Sequence, residues 1–373
     1  MHVFSRFRPL ERLHGEEGRD IPEDRVRFVS SGSDDKTNEV LFKPDKWHES
    51  HQFTFDRIFE PECSQREVYE EVGRDLVDDV IKGFNATLFA YGQTGSGKTH
   101  TLLGPRDDPG IIPRFMGDLF QGIESAKRCE ENLEFRIYVS FLEVYLEVVY
   151  DLLVSGGQGE SSGNSGRKRK GGLRLREVVS SRDGLGGGRT GAMAATSRGG
   201  ERSQGFVVEG CEEKLVKTEA EAMALLDLGA ANRTTASTKM NEASSRSHSI
   251  YICKVIRVSK RHMSTRVSRA YLVDLAGSEA VKRSGASGHV LEEAKTINKS
   301  LSALGNVIKA LTKNSGAREK AESDRVAAPR QRNMTHIPYR DSKLTKLLQN
   351  ALGGNSKTSI IITCSLAPSN AVE

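Results

Sequence analysis

The sequence predicts a single α/β domain, with a central, mostly parallel or mixed β-sheet and helices on both of its faces. Two observations support this fold class. Short apolar runs typical of buried strands alternate with segments whose apolar residues recur at helical spacing, and such alternation favours helices layered on a sheet. The chain has 373 residues, of which 36% are hydrophobic, and this balance suits one large core that carries polar insertions.

The first long helix is predicted from a capping box. Ser64 precedes Glu67 by three residues, a spacing at which each side chain can accept a backbone N–H of the helix start. Apolar residues then recur at helical spacing up to Ile81, and Gly83 stands where the helix should end. The apolar run 86–91 follows at once and predicts a buried strand.

The rest of the chain continues this alternation. Residues 135–141 alternate between apolar and polar side chains, which predicts a strand with one face in water. Further strands are predicted over residues 250–258, 270–275 and 359–366. Further helices are predicted over residues 290–311 and 344–352.

Three segments interrupt the pattern and predict flexible insertions within the single domain 1–373. Residues 155–172 are rich in Ser and Gly, residues 181–204 are rich in Gly, and residues 313–334 are polar and basic. The third segment has six basic residues against three acidic ones, a net charge of +3. Such insertions cost little stability, because the entropy of closing a loop grows slowly with its length.

Composition narrows the class of partner. The net charge of +5 and the pI of about 8.8 suit an acidic partner, either a nucleic acid or an acidic protein surface. No apolar run approaches the roughly 20 residues that span a bilayer, and the charged first residues show no secretory signal. The five cysteines are scattered without a CxxC pair, which predicts reduced thiols in a cytoplasmic protein.

A phosphate-binding loop follows the strand predicted at 86–91. Residues 92–99 read GQTGSGKT and match GxxxxGK(S/T) in full. Glycines let backbone N–H groups turn towards phosphate oxygens, and the helix that starts at the lysine adds its positive dipole end. The predicted nucleotide-binding residues are Gly92, Gln93, Thr94, Gly95, Ser96, Gly97, Lys98 and Thr99. Lys98 would reach the β- and γ-phosphates, and the Thr99 hydroxyl would bind Mg²⁺.

Two further motifs suit a site that senses the γ-phosphate. Residues 274–279, DLAGSE, follow a predicted buried strand, so Asp274 is placed as a Walker B aspartate and Gly277 can let backbone approach the phosphate. Residues 241–248, NEASSRSH, precede another strand and supply hydroxyl groups. Alone, the first motif fits a plain turn and the second a polar loop. We name them switch II (274–279) and switch I (241–248).

In this order, the phosphate loop and the two switches resemble the signature of kinesin motor domains. Residues 6–9, RFRP, resemble the adenine-contacting segment of that family. Residues 294–301, AKTINKSL, resemble the start of its relay helix, and residues 336–345, HIPYRDSKLT, resemble its track-binding segment. The resemblance covers nearly the whole chain outside the insertions, and it implies a P-loop NTPase fold.

The resemblance also implies a role for each matching residue around ATP and Mg²⁺. The adenine would be framed by Arg6, Arg8 and Pro9. The Mg²⁺ would be held by Thr99, by Ser245 and, through water, by Asp274. Beside Lys98, the catalytic residues would be Ser244 and Gly277 next to the γ-phosphate and the attacking water, with Arg246 and Glu279 paired when ATP is bound.

The implied function is that of an ATP-dependent microtubule motor, a microtubule-stimulated ATPase of the cytoplasm and cytoskeleton. A non-walking, nucleotide-gated microtubule binder or a microtubule end remodeller of the same fold is the alternative. Nucleic acid is not expected as a partner, because no helicase-type motif accompanies the phosphate loop, and membrane insertion is not expected either. The segments 181–204 and 313–334 would lie in loops on the track-binding face.

Two departures from the family pattern stand out. Leu146 occupies a position where the family usually has asparagine, so a local polar contact would be lost. The family's final helix and neck linker are expected to be absent after the last predicted strand, and any oligomerisation is expected to use segments outside this chain.

Overall fold

The computed structural model describes residues 1–9, 26–30, 37–43, 49–154, 172–178, 205–237, 245–279, 289–323, 335–353 and 356–366. The strands in these ranges are β1 (His2–Arg8), β2 (Val26–Ser30), β3 (Thr37–Phe42), β4 (His51–Thr54), β5 (Arg57–Phe59), β6 (Asn85–Tyr91), β7 (Leu133–Tyr145), β8 (Val148–Asp151), β9 (Arg174–Val178), β10 (Gly205–Glu209), β11 (Lys214–Val216), β12 (His248–Ser259), β13 (Ser264–Asp274) and β14 (Ser356–Ser365). The helices are α1 (Gln65–Val72), α2 (Arg74–Lys82), α3 (Lys98–Leu102), α4 (Ile111–Cys129), α5 (Glu219–Ser237), α6 (His289–Ser323), α7 (Lys343–Leu347) and α8 (Gln349–Leu352).

A nine-stranded mixed sheet forms the centre of the molecule. Its strand order is β11-β7-β12-β13-β6-β14-β1-β5, with β8 paired to β7. The strands β13, β6, β14, β1 and β5 are parallel neighbours, whereas β12 runs antiparallel to both β7 and β13. The predicted central mixed sheet is therefore confirmed, and within the described residues two smaller sheets, β2-β3-β4 and β9-β10, accompany it.

Helices cover both faces of this sheet, because the inner strands are apolar on both sides. On β6, Leu88 belongs to a core with α1, α2, α4 and α5, whereas Phe89 belongs to a second core with α6, α7 and α8. The same alternation separates Tyr251 from Ile250 on β12. Successive strand residues point to opposite faces, so one sheet holds two hydrophobic layers. Among the described residues, no helix has the length and apolar character needed to cross a membrane.

Two predicted helices are each split in the structure. The helix predicted from the capping box begins as expected, with Ser64 and Glu67 bonding each other's backbone, and Gly83 ends it. It is interrupted at Gly73, where the Tyr69 ring packs so closely that a Cβ would lie 2.5 Å from it. The helix predicted over 344–352 breaks at Leu348 into α7 and α8.

The insertion predicted over 313–334 is wrong in its first half, because α6 continues to Ser323. Apolar periodicity ends at Leu311, but residues 317–322 are strong helix formers that extend a helix without an apolar stripe. Asn314 is buried and exchanges two hydrogen bonds of 2.9 and 3.0 Å with the Thr335 backbone. Residues 324–334, 181–204 and all of 155–172 except Gly172 lie outside the described residues.

The backbone conformation at Leu146 explains why asparagine is expected at this position. Leu146 and Glu147 connect β7 to β8 with φ values of 48° and 59°. Asn adopts this left-handed region more readily than Leu does. The asparagine expected from the resemblance therefore suits the backbone of this turn, and the leucine present here is strained.

Candidate functional site

The predicted site residues that the structure describes converge at the carboxyl edge of the parallel strands. The phosphate loop follows β6, switch II follows β13, and Arg8 ends β1. Because β13, β6, β14 and β1 are adjacent and parallel, the segments that follow them meet at one edge, where α/β sheets bind ligands. A cavity of about 600 Å³ lies there. The predicted residues that line it are Arg6, Arg8, Pro9, Thr94, Gly95, Ser96, Gly97, Lys98, Thr99, Ser245 and Asp274.

The phosphate loop is held in shape by β1 and β14. Arg8 Nη1 donates to the Gly95 carbonyl at 2.6 Å, and the buried Ser96 hydroxyl bonds the Thr363 hydroxyl at 2.6 Å. Gly92 must be glycine, because a Cβ there would lie 2.3 Å from the Thr363 carbonyl oxygen. Thr363 was missed from the sequence, since it lies some 270 residues away in the chain and only the parallel β14–β6 pairing brings it near.

Lys98 is 7% exposed and donates to two carbonyls of its own loop, Gly92 O at 2.8 Å and Gln93 O at 2.7 Å. Burial lowers the pKa of the Lys98 ammonium, while the nearby carboxylates of Asp274 and Glu279 act to raise it. The side chain thus holds a cation in a shielded position at the floor of the cavity, where an anionic phosphate could replace the carbonyls as its partner.

Thr99 and Asp274, two of the predicted metal ligands, are in direct contact. The Thr99 hydroxyl donates to Asp274 Oδ2 at 2.7 Å. The other carboxylate oxygen, Oδ1, is buried and has no hydrogen-bond partner among the described residues. A buried orphan acceptor beside a hydroxyl suits hydrated Mg²⁺, which prefers oxygen ligands and retains waters. Ser245 lines the same cavity. Among the described residues, no cluster of three or more His, Cys, Asp or Glu offers an alternative metal site.

Arg233 is a member of this site that the sequence analysis missed. Its guanidinium donates to Asp274 Oδ2 at 2.7 Å, to Ser249 Oγ at 3.0 Å and to the Ser247 carbonyl at 3.1 Å. Both charged side chains are nearly inaccessible to solvent, at 6% and 5% exposure. Arg233 lies on α5 in no recognised motif, so the only signal available was an arginine within a helix that is otherwise apolar on that side.

Arg246 and Glu279 are not paired with each other in this structure. Arg246 Nη1 binds Glu293 Oε2 on α6 at 3.1 Å, and Tyr145 donates to the same carboxylate at 2.8 Å. Glu279 instead accepts two hydrogen bonds from Thr94, from its amide at 2.9 Å and its hydroxyl at 2.6 Å. The pairing implied for the ATP-bound state therefore requires each residue to exchange its partner.

Four consecutive amides attach the switch II backbone to β6, switch I and the phosphate loop. Leu275 N–H donates to Ala90 O on β6, Gly277 N–H to Ser245 O, and Ser278 N–H to Gly92 O of the phosphate loop. A Cβ on Gly277 would lie 2.5 Å from Thr94 Oγ1, which explains the glycine. The remaining amide, of Ala276, donates to a histidine ring, described below. Ser244 of switch I lies outside the described residues.

His248 receives the Ala276 amide. Its Nδ1 lies 3.0 Å from Ala276 N, and its Nε2 lies 2.7 Å from Ser300 Oγ on α6. Burial lowers the pKa of the imidazole to about 3, and the positive charge of Arg233 contributes to the shift. The ring is therefore neutral at physiological pH.

Arg6 supports the wall of the cavity. Its Nη1 donates to Gln65 Oε1 at 2.6 Å and to Thr101 Oγ1 at 2.9 Å, so it joins β1 to α1 and α3. Both partners line the cavity, as do residues 61–64. The sequence pattern does not predict this wall, because the capping box at Ser64 indicates only a helix start.

Comparison with known proteins agrees with the resemblance seen in the motifs. A profile described as the kinesin motor domain matches residues 6–373. Kinesin-1 heavy chain of Rattus norvegicus is 38% identical over 374 residues, which cover 100% of this chain and 31% of that protein. Kinesin-related protein 3 of Dictyostelium discoideum is 36% identical over 383 residues, covering 100% of this chain and 26% of that protein. This chain spans about a third of the length of such curated relatives.

Solved structures show the same architecture. The structure of a fast kinesin aligns with a TM-score of 0.73 at 34% identity, covering 100% of this chain and 87% of that chain. A KIF14 dimer in a two-heads-bound state, with AMP-PNP and in complex with a microtubule, aligns with a TM-score of 0.75 at 34% identity, covering 100% of this chain and 90% of that chain. The sequence therefore belongs to the kinesin motor domain family.

Proposed function

We propose that this chain is an ATP-dependent microtubule motor domain, which hydrolyses ATP with Mg²⁺ and is accelerated by microtubules. One observation carries the proposal: at one cavity, the Lys98 ammonium lies beside a Thr99–Asp274 pair whose second carboxylate oxygen has no hydrogen-bond partner among the described residues. The related KIF14 structure was solved with AMP-PNP on a microtubule, which supports both ligands here. Its cellular place would be on cytoplasmic microtubules.

The phosphate loop would bind and orient the triphosphate. Lys98 would release the carbonyls of Gly92 and Gln93, which it contacts here, and pair with the β- and γ-phosphates. Mg²⁺ would neutralise developing charge on the phosphates, with Thr99, Ser245 and Asp274 as its ligands, Asp274 through water. Arg6, Arg8 and Pro9, which line the same cavity, would frame the adenine.

The switches would detect the γ-phosphate by exchanging partners. Gly277 N–H now donates to the Ser245 carbonyl, and a γ-phosphate oxygen would compete for that amide. Arg246 would leave Glu293, and Glu279 would leave Thr94, so that the two charged groups pair and close the site over the phosphate. Closure excludes water other than the attacking one and places fixed dipoles where charge develops. Ser244 would help to position that attacking water.

The track-binding face would be formed by α6 and the segment that follows it. Leu304 and Val307 of α6 pack in one core with Leu344 and Leu348, so motion of the helix displaces its neighbour. Arg340 and Lys346 lie on this segment, with their cationic ends beside Glu177 on β9 and the ring of Phe206 on β10. Basic residues here suit an acidic filament surface such as that of tubulin.

The test is ATP turnover measured with microtubules, duplex DNA and RNA in parallel, with Lys98→Ala as the inactive control. We expect microtubules alone to accelerate the wild-type chain. Acceleration by DNA or RNA would identify a nucleic-acid translocase. Turnover that none of the three polymers accelerates would contradict the proposed motor activity. Gliding and filament-shortening assays would then separate a motor from an end remodeller.

A further inference from the structure

His248 bridges switch II to helix α6. It is the last residue of switch I and the first residue of β12, and it is 3% exposed. On one side its Nδ1 lies 3.0 Å from the amide of Ala276, which stands between Asp274 and Gly277. On the other side its Nε2 lies 2.7 Å from the hydroxyl of Ser300, which is also 3% exposed. One rigid ring thus contacts both the phosphate-sensing backbone and the helix of the proposed track face.

The direction of every hydrogen bond in this bridge is determined. A backbone amide can only donate, so Nδ1 accepts from Ala276 and carries no proton. In the neutral ring the proton is then on Nε2, which donates to Ser300 Oγ. The Ser300 hydroxyl donates onward to the Ile297 carbonyl at 2.7 Å. All polar atoms of the bridge are satisfied in one orientation, which is the condition for a buried polar network to hold a single geometry.

The bridge begins directly beside the phosphate-sensing amide of switch II. Ala276 is the residue before Gly277, so any displacement of the Gly277 amide by a phosphate turns the adjoining peptide. A planar ring held at both nitrogens transmits that turn, because neither of its contacts can rotate independently. Ser300 receives it near the middle of the well-packed part of α6, one helical turn before Leu304 of the core.

We infer that His248 is a positioning residue that couples the switch II backbone to α6 through Ser300. The inference rests on the proposed function, since it assigns the path by which nucleotide state and track binding affect each other. Breaking the bridge should leave nucleotide contacts intact, because neither His248 nor Ser300 lines the cavity, but should weaken the response to microtubules.

The first test compares Ser300→Ala with Ser302→Ala, the same substitution at an exposed position of the same helix. We expect basal ATP turnover of both variants to stay within about twofold of the wild type. The maximal microtubule-stimulated rate of Ser300→Ala should fall by about five- to tenfold, within the usual range of coupling between sites, whereas Ser302→Ala should be unaffected. A change in the half-maximal microtubule concentration alone would indicate a track contact and contradict the inference.

The second test separates the two hydrogen bonds that the His248 ring makes. The Asn side chain of His248→Asn can place an acceptor near the Nδ1 position but cannot reach Ser300, whereas the longer Gln of His248→Gln can place a donor near the Nε2 position. Both variants should lose activation. Adding Ser300→Ala to His248→Asn should change the maximal rate by less than about twofold, because that bond is already broken.

Hydrogen exchange of the α6 amides tests the inference without microtubules. Addition of AMP-PNP should change protection in α6 of the wild type, and this change should be lost in Ser300→Ala. If microtubules do not accelerate ATP turnover by the wild type, the proposed function fails. The exchange experiment still tests whether His248 couples switch II to α6. An exchange response in Ser300→Ala equal to that of the wild type would overturn the inference. So would equal proportional losses of basal rate, activated rate and thermal stability, which would indicate a merely structural role.

Discussion

Replacement of Arg233 by methionine tests the charge balance beneath the phosphate loop. The Arg233–Asp274 ion pair is 2.7 Å long, and its two side chains are 6% and 5% exposed. Methionine keeps much of the arginine's apolar stem and removes the guanidinium. The Asp274 carboxylate would then remain buried, with the Thr99 hydroxyl still donating to it.

The expected cost follows from burial. Removing one partner of a buried ion pair costs about 3–5 kcal/mol, because the other charge is left without compensation in a medium that solvates it poorly. The free energy of unfolding of a native protein is roughly 5–15 kcal/mol, so Arg233→Met should remove a large part of the stability. With a urea m-value of about 3 kcal/mol per M, the unfolding midpoint should fall by about 1–1.7 M.

Urea unfolding followed by circular dichroism measures this shift. The matched control is Arg106→Met, which removes an exposed ion pair with Asp227 of 3.0 Å and 91% and 58% exposure, and exposed pairs contribute only about 0–1 kcal/mol. The double variant Arg233→Met with Asp274→Asn should recover part of the loss, because no buried charge is left. A midpoint for Arg233→Met equal to that of Arg106→Met would refute the reasoning.

Three further predictions concern the proposed activity. Lys98→Ala should lower ATP turnover by at least about 100-fold, because it removes a preorganised cation from the phosphates; turnover near the wild-type rate would contradict this role. Arg246→Ala and Glu279→Ala should each slow hydrolysis while nucleotide binding persists, and the double variant should lie within about twofold of the worse single one; additive losses would show that the two residues do not act together. Neutralising the basic residues beyond α6 should weaken microtubule binding in low salt and less so at physiological ionic strength, where charges are screened over about 8 Å; equal affinities at low salt would contradict a track contact. The residues to change to glutamine are Arg325, Arg330 and Arg332.

The sequence was sufficient for what depends on local pattern. Strand alternation and helical spacing predicted β6, β12, the second half of β13 and most of α6, because burial on one or both faces leaves a period in the chain. The motif GxxxxGK(S/T) predicted that Lys98 and Thr99 line the cavity, because a phosphate loop is a local backbone shape formed by contiguous residues. Asp274 could be placed because it ends a strand that the sequence pattern predicts to be buried.

What depended on tertiary contact could not be predicted. Arg233 and Thr363 carry no motif, and their roles exist only because α5 and β14 pack beside the phosphate loop. The extension of α6 to Ser323 was missed because its last turns have no apolar stripe. His248 belongs to a recognised motif, but the motif gave no indication that its ring would contact Ala276 and Ser300.

We expect the nucleotide cavity and the track-binding face to be thermodynamically coupled, so that the ligand bound at one site changes the affinity of the other. Coupling between the binding free energies of two sites is reciprocal, so if microtubules change the affinity for nucleotide, the nucleotide must change the affinity for microtubules by the same factor. The most direct measurement is the microtubule dissociation constant of the wild-type chain by co-sedimentation, with AMP-PNP and with ADP at one ionic strength. We predict affinities that differ by at least about fivefold, the lower end of typical couplings. Equal affinities in the two nucleotide states would contradict the account.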